Sequence, residues 1–476
     1  MTKKQPVFPV SFAAVVLAAG KGTRMRSSKP KVLHKMAGEP LIGHVMRACT
    51  AAGASHLYLV LGHGREEVLA ALRDRPGSFQ EIWQKEQLGT GHAVREAAKA
   101  WQNDDDLIVI LNGDGPLVCA DTIQRMISVH QERRSEVTLG VLELDNPTGY
   151  GRVVGAKGRV KKIVEEKEAT EAEKKVKTVN GGLYVVSRKF LDRYLPKLKP
   201  SKRTGEIYLT DLLGLGARDG KRMIAFRVDA EELLGVNDMA ELAAAGKAFC
   251  RRIVKGWMLN GVEVQDPDTT YVEAGVDVSP GAVLEPNVHL RGSTRVASDA
   301  RIGTGSVLTN ADIQNGAMIL PYTTIDDSVV KMSATVGPFA RLRPGTEIGE
   351  SAKIGNFVEV KKSRIGKGAK ASHLSYIGDA EIGAESNLGC GFITCNYDGV
   401  NKHKTIVEEN VFVGSDVQAV APVRVGKNSF VAAGTTITKD VPEGSLAIAR
   451  SKQENKQGYA ERIRGRNLAV SKKKER

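Results

Sequence analysis

The chain has 476 residues and a formal charge of +14 at pH 7, too long for one hydrophobic core and long enough for two or three domains. Half of that charge sits in residues 450–476, where ten Lys/Arg face three Asp/Glu. This is the pattern of a solvated tail or of one that attracts anionic ligands, and no RNP, zinc-finger or helix-turn-helix pattern accompanies it to argue for nucleic acid. The five cysteines, Cys49, Cys119, Cys250, Cys390 and Cys395, have neither metal nor disulfide spacing and fit a reducing cytoplasm. No apolar run approaches membrane-spanning length.

Lys3 and Lys4 followed by the apolar stretch 7–19 imitate a secretory leader. Cleavage after Ala19 would detach a strand from the glycine loop it feeds, so the stretch is expected to stay and the chain to be cytoplasmic. Residues 14–17 read as a buried strand. It runs into Leu17-Ala18-Ala19-Gly20-Lys21-Gly22-Thr23-Arg24-Met25 and then Pro30-Lys31. A strand, a glycine turn and nearby bases suggest a phosphate cradle. No GKS or GKT closes it as a P-loop, and the third glycine of a dinucleotide fingerprint is missing; by physics alone such a turn is as easily structural. Residues 57–61, 107–111 and 137–142 read as further strands, with helices such as 41–52 and 65–72 between, the alternation of a doubly wound α/β domain. Asn112-Gly113-Asp114 ends a strand with a carboxylate at its tip, a natural hard-cation ligand.

From 238 to 260 apolar residues recur at three- and four-residue steps, which predicts one long helix. Beyond it the period changes to six. Val272, Val278, Leu284, Leu290, Val296, Ile302 and Leu308 begin the series; Val330 to Val360 and Val407 to Ile437 continue it. A helix cannot keep that set on one face, since six residues advance about 600°, and repeated glycines would interrupt a flat strand. A triangular coil satisfies both: the aliphatic points inward, small residues turn the corners, and three hexapeptides close one turn of a stacked parallel solenoid. Spacing drops to five at Val360–Ile365 and Ile377–Ile382, and an extra stretch from Asn396 to Lys404 leaves the coil. His373 lies near these breaks, where side chains need not serve the core. Histidine titrates where a general base for amine acetylation must, although a solenoid histidine is more often structural or solvated.

The glycine-loop segment with Pro30-Lys31 resembles the signature of sugar-1-phosphate nucleotidylyltransferases, and the rod resembles hexapeptide-repeat acyltransferases, which are left-handed parallel β-helices. Gln84-Lys85-Glu86-Gln87-Leu88-Gly89-Thr90-Gly91 resembles the first family's uridine-reading loop. Pro147-Thr148-Gly149-Tyr150-Gly151-Arg152, Ile163-Val164-Glu165 and Val179-Asn180-Gly181-Gly182 resemble its sugar-binding segments, and Gly235-Val236-Asn237 its second metal position. Together, in this order, the two halves resemble the bifunctional uridylyltransferase/acetyltransferase family. The resemblance divides the chain into a nucleotidylyltransferase domain (1–239), a linker helix (240–260), an acetyltransferase rod (261–449) and a basic tail (450–476).

It implies two reactions. Acetyl-CoA acetylates glucosamine-1-phosphate in the rod, and UTP then joins the product in the first domain, giving the UDP-N-acetylglucosamine that feeds peptidoglycan and, in some bacteria, lipopolysaccharide. For the uridylyl site it implies Leu17, Ala18, Ala19, Gly20, Arg24, Lys31, Gln84, Gly89 and Thr90 around the nucleotide. Asn112, Gly113, Gly151, Glu165 and Asn180 complete that site, with Mg2+ on Asp114 and Asn237. For the acetyl site it implies His373 as the general base, Arg343 and Lys361 on the sugar phosphate, and Tyr376 and Asn387 lining the amino-sugar pocket. Asn396, Tyr397 and Lys402 come from the excursion, Ser415 is an oxyanion donor, and Cys390, Ala433 and Arg450 match acetyl-CoA positions. A homotrimer is implied as well, with no nucleic-acid or membrane partner. The chain departs from the family pattern at Gly115, at Gly181 and at Cys390-Gly391-Phe392. Three alternatives stay open: the same architecture acting on another sugar, a non-catalytic regulatory subunit, and a nucleic-acid binder using the tail. Lys31, Asp114 and His373 are all present, which speaks against the second.

Overall fold

A computed structural model describes residues 11–73, 77–156 and 158–474. Lys3 and Lys4, which carry the leader-like pattern, lie outside the described residues. Contacts gather the chain into two compact units, Met1–Lys255 with Val272–Ala274, and Gly256–Tyr271 with Gly275–Arg476.

The first unit is built on a sheet that among the described residues has nine strands. Its strand Phe12–Ala18 is apolar throughout because both of its faces are covered. Ala14, Val16 and Ala18 enter one apolar cluster, Ala13 and Val15 the other. The parallel neighbours His56–Leu61 and Leu107–Asn112 alternate in step: Leu59 and Val109 join the first cluster, Val60 and Ile110 the second. Helices Leu41–Ala51 and Ala120–Glu132 contribute Ile42, Val45, Ile123 and Met126 to the first cluster; Thr90–Ala98 and Asp211–Arg218 contribute Val94, Ala97, Leu212 and Leu213 to the second. Thr178–Ser187 runs antiparallel between Leu107–Asn112 and Val137–Glu143, so the sheet is mixed. The carboxyl ends of the parallel strands share one edge, the place where doubly wound sheets bind ligands. The helix expected over 238–260 is Met239–Leu259; Ala245, Ala248 and Val254 form its buried stripe.

The second unit is the coil that the period of six demands. Three sheets of eleven, ten and nine parallel strands form its faces. On the first face Ile302, Ile319, Val336 and Ile354 stack in register, one per coil and buried to 1% exposure or less. Leu290, Leu308, Ile325 and Leu342 do the same on the second face, Val296, Ile313, Val330 and Ile348 on the third. Small buried residues, among them Ala300, Ala317, Ala334 and Ala352, turn the corner from third face to first.

The five-residue steps share one location. Leu308–Ile313, Ile325–Val330, Val360–Ile365 and Ile377–Ile382 all pass from the second face to the third. There the chain turns tightly through Asn310, Asp327, Lys362 and Asp379, whose φ values of 49°, 41°, 45° and 48° lie in the left-handed region. Hydroxyls inside this corner bond to carbonyls one coil away: Ser328 Oγ donates to Arg343 O at 3.0 Å and Thr394 Oγ1 to Gly378 O at 3.0 Å. The excursion after Thr394 leaves at the same corner.

His373, by contrast, does not sit in a break. It ends the strand Lys370–His373, in which Ala371 takes the inward position between Ile354 and Leu388. The short step Val360–Ile365 moves the register by one, and an alanine then holds the next inward slot on the first face, so a count of aliphatic residues in sixes passes over it. The basic tail forms a helix, Tyr459–Lys474, whose described side chains are exposed. No helix among the described residues is long and apolar enough to cross a membrane.

His130 is buried in the helix Ala120–Glu132, with Nδ1 3.1 Å from Thr138 Oγ1. Burial pulls its pKa down to about 4. The folded state therefore resists a proton that the unfolded chain accepts near 6.5. Its contribution is fully present above pH 6.5 and is lost as pH falls toward 4. The first unit should lose on the order of 2–3 kcal/mol of stability between pH 7 and 4.5 through this group. In His130→Gln the melting temperature of that unit, followed over the same range, should fall less steeply than in the wild type.

Candidate active sites

At the carboxyl edge of the first sheet the chain leaves Ala18, passes Gly20 and turns through Gly22 at φ 61°. A Cβ built on Gly22 would lie 2.5 Å from Lys31 Cβ. The glycine thus serves two needs, a left-handed turn and a close approach that seats Lys31. The short turn Thr23–Met25 follows and carries Arg24. Asp114 stands just beyond the strand Leu107–Asn112, and Asn237 just before the long helix.

These four residues, distant in sequence, converge. Arg24 Nη2 donates to Asn237 Oδ1 at 2.7 Å and Lys31 Nζ to the same oxygen at 3.1 Å. Lys31 also pairs with Asp114. A carboxylate and an amide oxygen, both hard donors, already face cationic groups, so their chemistry suits a divalent cation.

Arg24, Asp114 and Asn237 line two cavities, and Lys31 lines the larger of these two. One, of ≈ 430 Å³, is walled by Leu17, Ala18, Ala19 and Gly20 and by Gln84, Gly89 and Thr90. The other, of ≈ 290 Å³, includes Gly151 and Asn180. Asn112 touches both. Two residues implied for this site line neither. Gly113 N–H donates to Leu17 O at 2.8 Å and ties two strand tips together. Glu165 lies behind Gly151 and accepts from Thr210 Oγ1 at 2.9 Å, its pKa raised by burial.

The cavities also recruit residues that sequence reasoning did not single out. Tyr150 lies inside the segment 147–152 that resembles a sugar-binding segment of the family; burial, with Glu241 and Asp114 nearby, raises its pKa. Glu241 Oε2 accepts from Asn237 N–H at 2.7 Å, and its start-of-helix position was the available signal. Leu233 had none. It explains the departure at Gly181, because a Cβ there would lie 2.5 Å from Leu233 Cδ1. At Gly115, in contrast, a Cβ would meet nothing closer than Asn112 O at 3.7 Å, so the missing side chain leaves room in the ≈ 290 Å³ cavity.

In the rod, the implied acetyl residues fall into groups. His373 ends a first-face strand, and its Nδ1 lies 2.7 Å from Asn356 Oδ1 one coil away. An amide oxygen only accepts, so Nδ1 carries a proton, and in the neutral ring the free lone pair is on Nε2. Asn356 was not foreseen; it occupies the register position of His373 itself. Cys390, Ser415 and Ala433 follow first-face strands in later coils, and Arg450 Nη1 donates to Ala433 O at 2.7 Å. Tyr376 and Asn387 begin the strands Tyr376–Gly378 and Asn387–Leu388 and are half-buried.

The second group sits where the second face ends. Arg343 pairs with Glu359 at 2.8 Å. Lys361 Nζ lies 3.8 Å from Asp379, which also accepts from the buried Asn396 Nδ2 at 2.5 Å. In the excursion, Lys402 Nζ stands 4.1 Å over the Tyr397 ring, and Asp398 accepts from His403 Nε2 at 2.6 Å and caps the turn through the N–H groups of Val400 and Asn401. Those bonds hold the Asp398 carboxyl below the usual range.

A doubly wound domain with cations clustered between two cavities, together with a triangular solenoid carrying a tautomer-fixed histidine, defines a nucleotidyltransferase joined to a hexapeptide-type transferase. Comparison with known proteins agrees. Residues 13–258 match the nucleotidyl transferase family, and residues 404–439 match the bacterial transferase hexapeptide (six repeats). The chain is 46% identical over 451 residues to the bifunctional protein GlmU of Geotalea uraniireducens, covering 94% of this chain and 98% of that one. It is 45% identical over 459 residues to the GlmU of Pelobacter propionicus, covering 95% and 99%. The solved structure of UDP-glucose pyrophosphorylase complexed with UDP-glucose aligns with 51% of this chain and 99% of its own, at 21% identity and a TM-score of 0.42. The chain belongs to the bifunctional GlmU family. It is a two-activity enzyme of UDP-N-acetylglucosamine synthesis, uridylyltransferase and acetyltransferase, and its solenoid is the left-handed parallel β-helix of that family.

Gly22→Ala should lower uridylyl transfer by about 10²-fold, the effect of displacing a catalytic group by roughly 1 Å. Acetyl transfer, measured separately on the same protein, should not change.

Proposed function

We propose that the ≈ 430 Å³ cavity holds UTP, the ≈ 290 Å³ cavity holds N-acetylglucosamine-1-phosphate, and the cluster between them is where the two are joined. The convergence of Arg24, Lys31, Asp114 and Asn237 carries this reading. A phosphate oxygen of the sugar attacks the α-phosphorus of UTP; a P–O bond forms and the bond to pyrophosphate breaks. Arg24 and Lys31 neutralise the phosphates, and the rest of the site positions the reactants in line. Asp114 and Asn237 would hold Mg2+, which would supply further neutralisation of phosphate charge.

In the rod, His373 Nε2 takes the proton from the amine of glucosamine-1-phosphate as the nitrogen attacks the acetyl-CoA carbonyl. The C–S bond breaks, and the departing thiolate recovers a proton. Asn356 fixes the tautomer, Arg343 and Lys361 bind the sugar phosphate, and Ser415 donates to the developing oxyanion. Asp114→Ala should abolish uridylyl transfer and leave acetylation intact. His373→Ala should cut acetyl-transfer turnover by about 10²–10⁴-fold and leave uridylylation of supplied N-acetylglucosamine-1-phosphate unchanged. Loss of both activities in either variant would overturn the two-site assignment.

The rod works as a homotrimer in this reading. The His373 group and the Lys361–Asn396 group stand at opposite ends of the three-residue strand Tyr376–Gly378, about 10 Å apart, so one chain presents two partial sites. A second observation supports it. At the corner from first face to second, Tyr322, Phe339, Phe357 and Leu374 project on consecutive coils, each about half exposed. The three rings stack at 5.3 and 5.5 Å. Their φ values, 58°, 54°, 57° and 44°, lie in the left-handed region, where the equivalent corners of other coils carry Asn287, Gly305, Gly391 and Gly434. A bulky residue there costs roughly 1–2 kcal/mol, which burial against a second copy would offset. Phe339→Glu with Phe357→Glu should sediment as a monomer and lose acetyl transfer while keeping uridylyl transfer. An intact trimer in that variant would exclude this corner as the interface.

A further inference from the structure

Arg152 opens the strand Arg152–Ala156 and is 1% exposed, the largest fully buried side chain among the described residues. A guanidinium keeps its charge at any accessible pH, so such burial is tolerable only with full pairing. Arg152 Nη2 meets Glu166 Oε2 at 2.6 Å. Nη1 donates to Tyr150 O, and Nε donates to Lys174 O at 3.3 Å. The same Glu166 oxygen also accepts from Gly149 N–H at 3.3 Å.

One ion pair therefore grips two backbone groups of the loop 147–151, a donor at Gly149 and an acceptor at Tyr150. Thr148, Gly149, Tyr150 and Gly151 of that loop line the ≈ 290 Å³ cavity, and none of them lines the ≈ 430 Å³ one. The guanidinium itself reaches neither cavity. Arg152 thus lies behind the wall and fixes its height, a role that needs a planar, rigid fork.

We infer that Arg152 and Glu166 are positioning residues for the sugar-1-phosphate: the pair, with its guanidinium buried, holds the loop 147–151 against the bound sugar without touching it. The inference rests on reading the ≈ 290 Å³ cavity as the sugar half of the uridylyl site.

Steady-state uridylylation by the full chain tests it, with N-acetylglucosamine-1-phosphate and UTP varied in turn. Glu166→Gln keeps an acceptor for Gly149 N–H but removes the charge; Arg152→Lys keeps the charge but removes the fork. Each should raise the KM for the sugar phosphate about tenfold, the worth of one charge-assisted hydrogen bond. The KM for UTP should stay within about twofold, since only sugar binding is removed. The double variant should be no worse than the weaker single, because both act through one pair. Glu166 is a third exposed, so its variant keeps the test usable should Arg152→Lys fail to fold. Equal rises in both KM values would mean a structural role only and overturn the inference. Asn180→Ala, which trims the cavity wall directly, separates the two levels. If it raises the sugar KM and neither pair variant does, the positioning role falls alone. If it too leaves the sugar KM unchanged, the cavity assignment falls and takes the inference with it.

Discussion

The rod depends on one steric constraint: a triangular coil has room inside for one aliphatic side chain per face per turn. Ile302, Ile319, Val336 and Ile354 fill the first face this way, and the strands that carry them pair in register from coil to coil. The inward positions are taken by buried core side chains. Chemistry is left with the outward positions and the corners, and all the candidate acetyl residues are found there. The corner from second face to third turns in five residues through Asp327, Lys362 and Asp379 and also releases the excursion. A single place in the cross-section therefore serves both as the tightest turn and as the exit for the longest loop.

The first unit solves a different problem, that of bringing like charges together before a polyanion arrives. Arg24 and Lys31 share the Asn237 amide oxygen, and Lys31 also meets Asp114. The oxygens suited to a divalent cation are the ones that these cationic side chains face. Backbone geometry does much of the placing: Gly22 admits the Lys31 stem, and Gly113 ties the Asp114 loop to the tip of the strand Phe12–Ala18.

Much of this was legible in the sequence, for physical reasons. Continuous apolar runs marked the doubly covered strands within about two residues, and the period of six marked the coil. The cation cluster was readable because each member lies in a segment that resembles the family's signature, and Asp114 also follows a strand. What stayed hidden was set by tertiary packing. Ala371 is an ordinary inward residue, yet a shortened step and a small side chain disguised it and made His373 look displaced. Asn356 became visible only when coils were stacked. Leu233 fills the volume left by Gly181, a compensation between residues far apart in sequence. The placement of Glu165 behind Gly151 likewise depends on how two loops pass each other.

The pairing of Asn356 with His373 has a consequence for scale. The two occupy the same register position on successive coils, so the separation that fixes the imidazole tautomer is the solenoid repeat itself, about 4.8 Å. Arg343 and Lys361, one coil apart at the far end of the second face, are spaced by the same repeat. The rod is in this sense a ruler graduated in single coils. A group can be moved along it only by a whole graduation, so a sugar phosphate with a different reach would need the set of anchoring residues transposed by one coil rather than adjusted in place.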